Sequence, residues 1–426
     1  MIEFEHLLIF YPNENWKFYL IENTRLLVWS QFAVQQNEQT YSIKGRIVLL
    51  RHFGRTGELG RQNSPGPRTT KAGDKLAKPT KKQVIKRLQP LDVNILKTLY
   101  DYRILSTQQI QQHHNLTWRY AYKKISILRN TGYIISKPTK GYNAKQARQG
   151  NHHRISETGI ACLRKQGYPV ERRADDLRVR TYHVPYLLTT NDIFLRLQQA
   201  GWTIHDSRHV KRTFNLNRAD NVQGIVTSPN GAAHVVYTFL HGISAKNLAK
   251  TAREMEMHRT DERTQAGERY FENYALFAKG QDSFIRVIDR LMDSRAMLQC
   301  NSLKVFPLGF GKSYVPLFAD DQASLHQYVE QNENLTFKPA VKESNHPKGF
   351  HHMVQHNGEE KYFINLLDTD IVKINHVLAY RKDRYMRNGR KVLILTHAGL
   401  RPIHERLLKH IHHVEFLPID QDFLNK

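Results

Sequence analysis

The chain is poor in cysteine, in acidic residues and in long apolar runs. Cys162 and Cys300 are the two cysteines among 426 residues. That is too few for a disulfide framework, and the spacing is not the CxxC of structural zinc, so a reducing compartment fits and the expected location is the cytoplasm. No stretch reaches the roughly 18 uninterrupted apolar residues of a membrane span, which leaves no membrane partner to expect. The opening MIEFEHLLIFYP has acids ahead of a short apolar run, no basic start and no small-residue cleavage site, so it does not read as a secretion signal. Asp and Glu number 39 against 64 Lys and Arg, a formal charge of +25. Each well-placed cation adds affinity for a polyanion, so nucleic acid is the expected partner, ahead of a solvated surface or an anionic membrane surface.

The length allows two or three domains, and the aromatic content can bury real cores. Residues 1–50 hold the strand-like runs WKFYLI, RLLVW and YSIKGRIVLL and are expected to form a small β-rich segment. From 51 to 84 the composition turns to Gly, Pro, Thr, Lys and Arg, as in GRQNSPGPRTTKAGDKLAKPTKK, which cannot bury enough surface to offset chain entropy; this reads as a flexible basic linker. The separation is clean enough that a start codon placed too far upstream also fits.

Residues 85–170 carry the clearest local pattern. Leu91, Ile95, Leu96 and Leu99 recur at helical spacing after Asp92, a candidate cap. Ser106 then caps a short helix with Ile110 inward, and Thr117 caps a third helix from Trp118 to about Asn130. Its apolar face is Ala121, Ile125 and Leu128, which leaves Arg119, Tyr120, Lys123 and Lys124 to face DNA. After the stop at Gly132, YIIS and HRIS read as hairpin strands joined by a loop over 137–151. That loop holds Lys137, Lys140, Lys145 and Arg148 without an acid, which suits a phosphate backbone. A further helix opens at Ser156. The whole is a winged helix-turn-helix, and the expected DNA contacts are Thr117, Trp118, Arg119, Tyr120, Lys123, Lys124, Lys137, Lys140, Lys145 and Arg148.

Beyond an Arg-rich connector, a helix is expected from Tyr182 towards Gly201. Strands follow at 224–226 and 234–240, joined by the turn Ser228-Pro-Asn-Gly, then helix or loop over 244–268. The strands KYFINLL and KVLILT, helices across 369–387 and 399–410 and a last strand VEFLPI predict a parallel crossover. The expected division is an α/β domain over 181–300 and a C-terminal α/β unit over 301–426.

The segments LDVNILKTLYDYRILSTQQI, KKISILRNTGYI, HHRISETGIACL and HVPYLLTTNDIFLRL together resemble the bacterial replication-relaxation proteins of plasmids and integrative elements. The resemblance covers roughly 85–240 and, more loosely, 350–420. It implies a fold class of α/β multidomain type, with a winged helix followed by α/β domains resembling a degenerate restriction-endonuclease-like fold. It also implies a role in replication, relaxation or transfer of mobile DNA. The partners it implies are double-stranded DNA and replication or relaxosome proteins, with a homodimer left open.

Catalysis, metal and cofactor are not expected. A restriction-type nuclease needs an acid on one strand and a D/E-x-K set on the next, so that carboxylates hold a cation beside a lysine. Asp220 fits the first position, but the next strand, VVYTFL, offers neither. Asp368, Asp370 and Lys373 form a D-x-x-K at a strand end opening a helix, where capping is the simpler reading. Gly309-Phe-Gly-Lys312-Ser313 ends like a phosphate-binding loop, but Phe306 stands where the first glycine is needed, which leaves a turn. His410-Ile-His412 matches the metal pair of nicking relaxases, but falls between a helix and a strand instead of on a central strand. Two other functions stay open, a winged-helix transcriptional regulator and a metal-dependent DNA nicking endonuclease.

Overall fold

The computed structural model describes short strands between residues 7 and 48, and residues 88–139, 150–240, 242–260, 271–293, 300–318, 322–339 and 349–420. The chain divides into two units, Met1–Lys78 and Pro79–Lys426. In the first, strands β1 (Leu7–Phe10), β2 (Lys17–Glu22), β3 (Arg25–Trp29) and β6 (Ile47–Val48) form one antiparallel sheet. Strands β4 (Ala33–Asn37) and β5 (Thr40–Lys44) pair separately. The expected linker over 51–84 lies outside the described residues.

The second unit begins with a helical subdomain. Helix α1 (Pro90–Tyr102) starts at Gln89, not at Asp92 as expected. Asp92 sits at the third helical position, where its Oδ2 accepts the Gln89 N–H at 3.0 Å and closes the cap. Ile95, Leu96 and Leu99 are buried. Arg103, at φ 68°, turns the chain into β7 (Leu105–Ser106). Ser106 Oγ accepts from the Gln109 N–H at 3.1 Å and starts α2 (Thr107–His113). Thr117 likewise caps α3 (Trp118–Asn130), whose Ala121, Ile125 and Leu128 are buried. Gly132, at φ 82°, ends that turn. Strands β8 (Ile134–Pro138) and β9 (Asn151–Ile155) then pair antiparallel, with β7 on the far side of β9. Helix α4 (Glu157–Lys165) returns Ile160 and Leu163 to the same core.

Helix α5 (Val184–Gln199) joins this subdomain to the rest. Asn191 donates to the carbonyls of Tyr102 and Ile104 at 3.0 and 2.7 Å, and Gln109 donates to the Leu188 carbonyl at 2.6 Å. Its other side, with Ile193, Phe194 and Leu197, enters a second core that runs on to Ile419.

That core contains two mixed five-stranded sheets. The first runs β10 (Thr203–Asp206), β11 (Gly224–Thr227), β12 (Ala233–Phe239), β13 (Asn273–Ala278) and β14 (Ser302–Pro307) in spatial order. Its first two pairings are antiparallel and its last two parallel. Helices α6 (Ser207–Thr213), α7 (Ala245–Thr260) and α8 (Gln281–Met292) make the connections. Helices α9 (Leu308–Phe318) and α10 (Gln322–Asn332) lead to the second sheet, β15 (Leu335–Pro339), β16 (His352–His356), β17 (Glu359–Asn365), β18 (Val392–His397) and β19 (Val414–Ile419). Its order and pairing polarity repeat those of the first. The expected parallel crossover is β17 to β18, and β18 to β19 makes a second. The helix expected over 369–387 is two, α11 (Ile371–Ala379) and α12 (Lys382–Asn388), broken at Tyr380, and α13 (Arg401–Leu408) precedes the last strand.

Candidate nucleic-acid interface

The outer face of α3 is made by helical geometry alone. Residues 121, 124, 125 and 128 follow the i, i+3, i+4, i+7 pattern and turn inward, so 118, 119, 120, 122 and 123 turn outward. Trp118 is 48 % exposed and Tyr122 46 %, and their rings meet edge to face at 4.3 Å. Thr117, Arg119, Tyr120 and Lys123 are also exposed. Arg119 and Lys123 stand one turn apart, and α3 contains no acid. Aromatic surface and unpaired-capable donors thus share one face, the combination that reads base edges and phosphates.

Lys124 departs from expectation. It occupies the inward i+3 position and is 6 % exposed, with Nζ 3.0 Å from Asp92 Oδ1 and 2.5 Å from Gln89 Oε1. The same ammonium lies 5.6 Å from the centre of the Tyr120 ring. It is therefore part of the joint between α1 and α3, not of the outer face. Lys137 is exposed at the end of β8. Lys140, Lys145 and Arg148 lie outside the described residues.

The hairpin is anchored through a histidine that sequence reasoning passed over. His153 is buried, with Nε2 at 2.9 Å from Thr107 Oγ1 and Nδ1 at 2.8 Å from Ser136 Oγ. Burial, and after it the neighbouring His152, lowers its pKa to about 4, so the neutral ring ties α2 to β8 and β9.

The groups considered for catalysis are held by neighbours. Asp220 Oδ2 lies 3.2 Å from His258 Nε2, and the Asn221 N–H next to it donates to Glu254 Oε2 at 2.7 Å. Strand β12 beside it presents Val235, Val236, Tyr237, Thr238 and Phe239, all buried and none a carboxylate or lysine. Asp370 caps α11, its Oδ1 accepting from the Val372 N–H at 2.9 Å and from the Leu303 N–H at 3.1 Å. Asp368 pairs with Lys373 at 2.9 Å, and its carbonyl accepts from the Val305 N–H. This D-x-x-K fastens β14 to the second sheet.

Gly309 to Ser313 lie inside α9, not in a turn. Gly311 is needed there because a Cβ would come within 2.6 Å of Phe306 Cβ, and Lys312 forms an ion pair with Asp192 of α5. His410 and His412 are exposed in the turn between α13 and β19, while the buried His413 Nε2 lies 2.7 Å from the Tyr380 carbonyl. Among the described residues no three His, Cys, Asp or Glu side chains are grouped to hold a metal ion, and no helix is long and apolar enough to cross a membrane.

Fold and site together define a multidomain α/β protein that joins a helical, hairpin-bearing subdomain to tandem mixed sheets. Residues 96–273, from α1 to β13, match the family model described as replication-relaxation. No curated protein and no solved structure matches the chain.

Proposed function

We propose that residues 88–170 act as a winged helix, with α3 in the major groove of duplex DNA and the β8–β9 hairpin along the backbone, in an accessory protein for replication, relaxation or transfer of the mobile element that carries its gene. The observation that carries this reading is the outer face of α3, where Trp118, Arg119, Tyr120, Tyr122 and Lys123 stand together without an acid. The net charge of +25 supplies the long-range attraction. The match of residues 96–273 to that family's model supports the process.

In this reading the tandem sheets are a nuclease-like scaffold that positions DNA or partner proteins and does not cut. Support comes from Asp220, which faces His258, and from the absence of an acid-x-Lys set on β12. Sequencing of DNA crosslinked to the protein in its native cell tests the proposal. Enrichment at the origin or transfer region of its own element is the expected result. Enrichment at scattered promoters would make it a transcriptional regulator. Nicking of supercoiled plasmid by the purified chain with magnesium or manganese would make it an endonuclease.

A further inference from the structure

Beside the hairpin, the connector between α4 and α5 closes one side of a concave groove of about 670 Å³. Lys137 and His152 reach it from β8 and β9, and Arg178 and Arg180 from the connector. No carboxylate lines it among the described residues. The Tyr182 hydroxyl, on a side chain 59 % exposed, accepts from Arg180 Nη1 at 3.2 Å.

One wall of the groove is tied to the end of α1. Arg103, at a φ of 68° that a non-glycine residue rarely adopts, donates to the Arg178 carbonyl at 3.2 Å and fixes the connector against the end of α1. Positive side chains surround it. Arg103 is lowered to about 10 by burial and then by Arg208. His183 is lowered by burial and then by Arg180, Arg103 and Lys211, and His152 by burial and then by Lys137 and Arg154. Burial is the larger cause in each case and the neighbouring cations add to it, so the potential at the groove is positive.

We infer that this groove holds the phosphodiester backbone of DNA flanking the stretch contacted by α3, so that Arg178 and Arg180 extend the footprint beyond the helix and hairpin. Three observations converge on this occupant: the concave shape, the single sign of charge and the continuity with Lys137 at the hairpin. The inference rests on the reading of α3 as the DNA-contacting helix.

The test uses the full chain, an Arg178→Gln/Arg180→Gln variant and two random-sequence duplexes of about one and about three helical turns. Both arginines are exposed, so the melting temperature of the variant should equal that of the wild type. The variant should bind the short duplex within about twofold of wild type. It should bind the long one about tenfold more weakly, with a salt slope shallower by about two phosphate contacts. Equal gain from lengthening in both proteins overturns the groove and leaves α3 standing. Failure of the wild type to bind either duplex overturns the reading of α3, and the groove with it.

Discussion

Lys124 Nζ lies 3.0 Å from Asp92 Oδ1, with both side chains more than nine-tenths buried. The pair joins the first turn of α1 to the middle of α3 and sets the angle at which the outer face of α3 is presented. Removing one partner strands a charge in the core. Asp92→Ala should therefore cost about 3–5 kcal/mol, and an Asp92→Leu/Lys124→Met double variant much less, because no charge is left unpaired. Denaturant unfolding of the three proteins measures this. Equal losses for single and double variants would show that packing and not charge pairing governs the joint.

Two buried histidines give stability a defined pH dependence. His153 is enclosed by Thr107 and Ser136, and His404 by Thr369 and Thr396, with contacts of 2.7–3.1 Å. Burial lowers each to about 4. The unfolded chain therefore takes up the proton first. Their contribution is constant above about pH 6.5 and lost as pH falls below it, by about 1.4 kcal/mol per pH unit for each ring. His404→Gln should flatten the fall between pH 6.5 and 5 by one proton relative to wild type. Parallel stability curves for the two proteins would contradict a neutral, buried His404.

The segment that ends like a phosphate-binding loop should answer to packing alone. Gly311→Ala forces a methyl group against Phe306 and Phe277 and should destabilise by about 1–3 kcal/mol, whereas Lys312→Ala loses a partly exposed ion pair with Asp192 and should cost about 1 kcal/mol or less. Neither should change DNA affinity. A loss of ATP or GTP binding on Lys312→Ala, measured by calorimetry, would restore the nucleotide reading.

Local chemistry made the helical subdomain legible in the sequence. Ser106, Thr117, Gly132 and Ser156 punctuate the chain where the caps and stops fall, and the apolar spacing of α3 selects its inner face. What that reading missed was non-local. Lys124 turns inward because Asp92, 32 residues earlier, waits there, a partner no single-helix pattern contains. The repeat of one sheet order in two sheets is a matter of strand pairing, which no local pattern contains, and β10, β14 and β15 are edge strands of four to six residues. A signal for part of it was present: Phe284, Val287, Ile288 and Leu291 follow a helical spacing that marks α8. His153 gave no signal, since its partners come from α2 and β8.

Base reading and backbone binding should separate on mutation. Lys137→Ala should weaken all duplexes alike and reduce the dependence of log affinity on log salt by about one contact, since an exposed lysine at the hairpin releases a counterion whatever the sequence. Anisotropy across a salt series measures it. A sequence-selective loss would move Lys137 into the base-reading set.

In the proposed function the outer face of α3 reads DNA, and comparing Arg119→Ala with wild type on the preferred duplex recovered by crosslinking and on a random one measures this directly. The expected result is a loss of about 1–3 kcal/mol on the preferred duplex, relaxed preference at one base position and little change on the random duplex. An equal loss on both duplexes, or none on either, would contradict it.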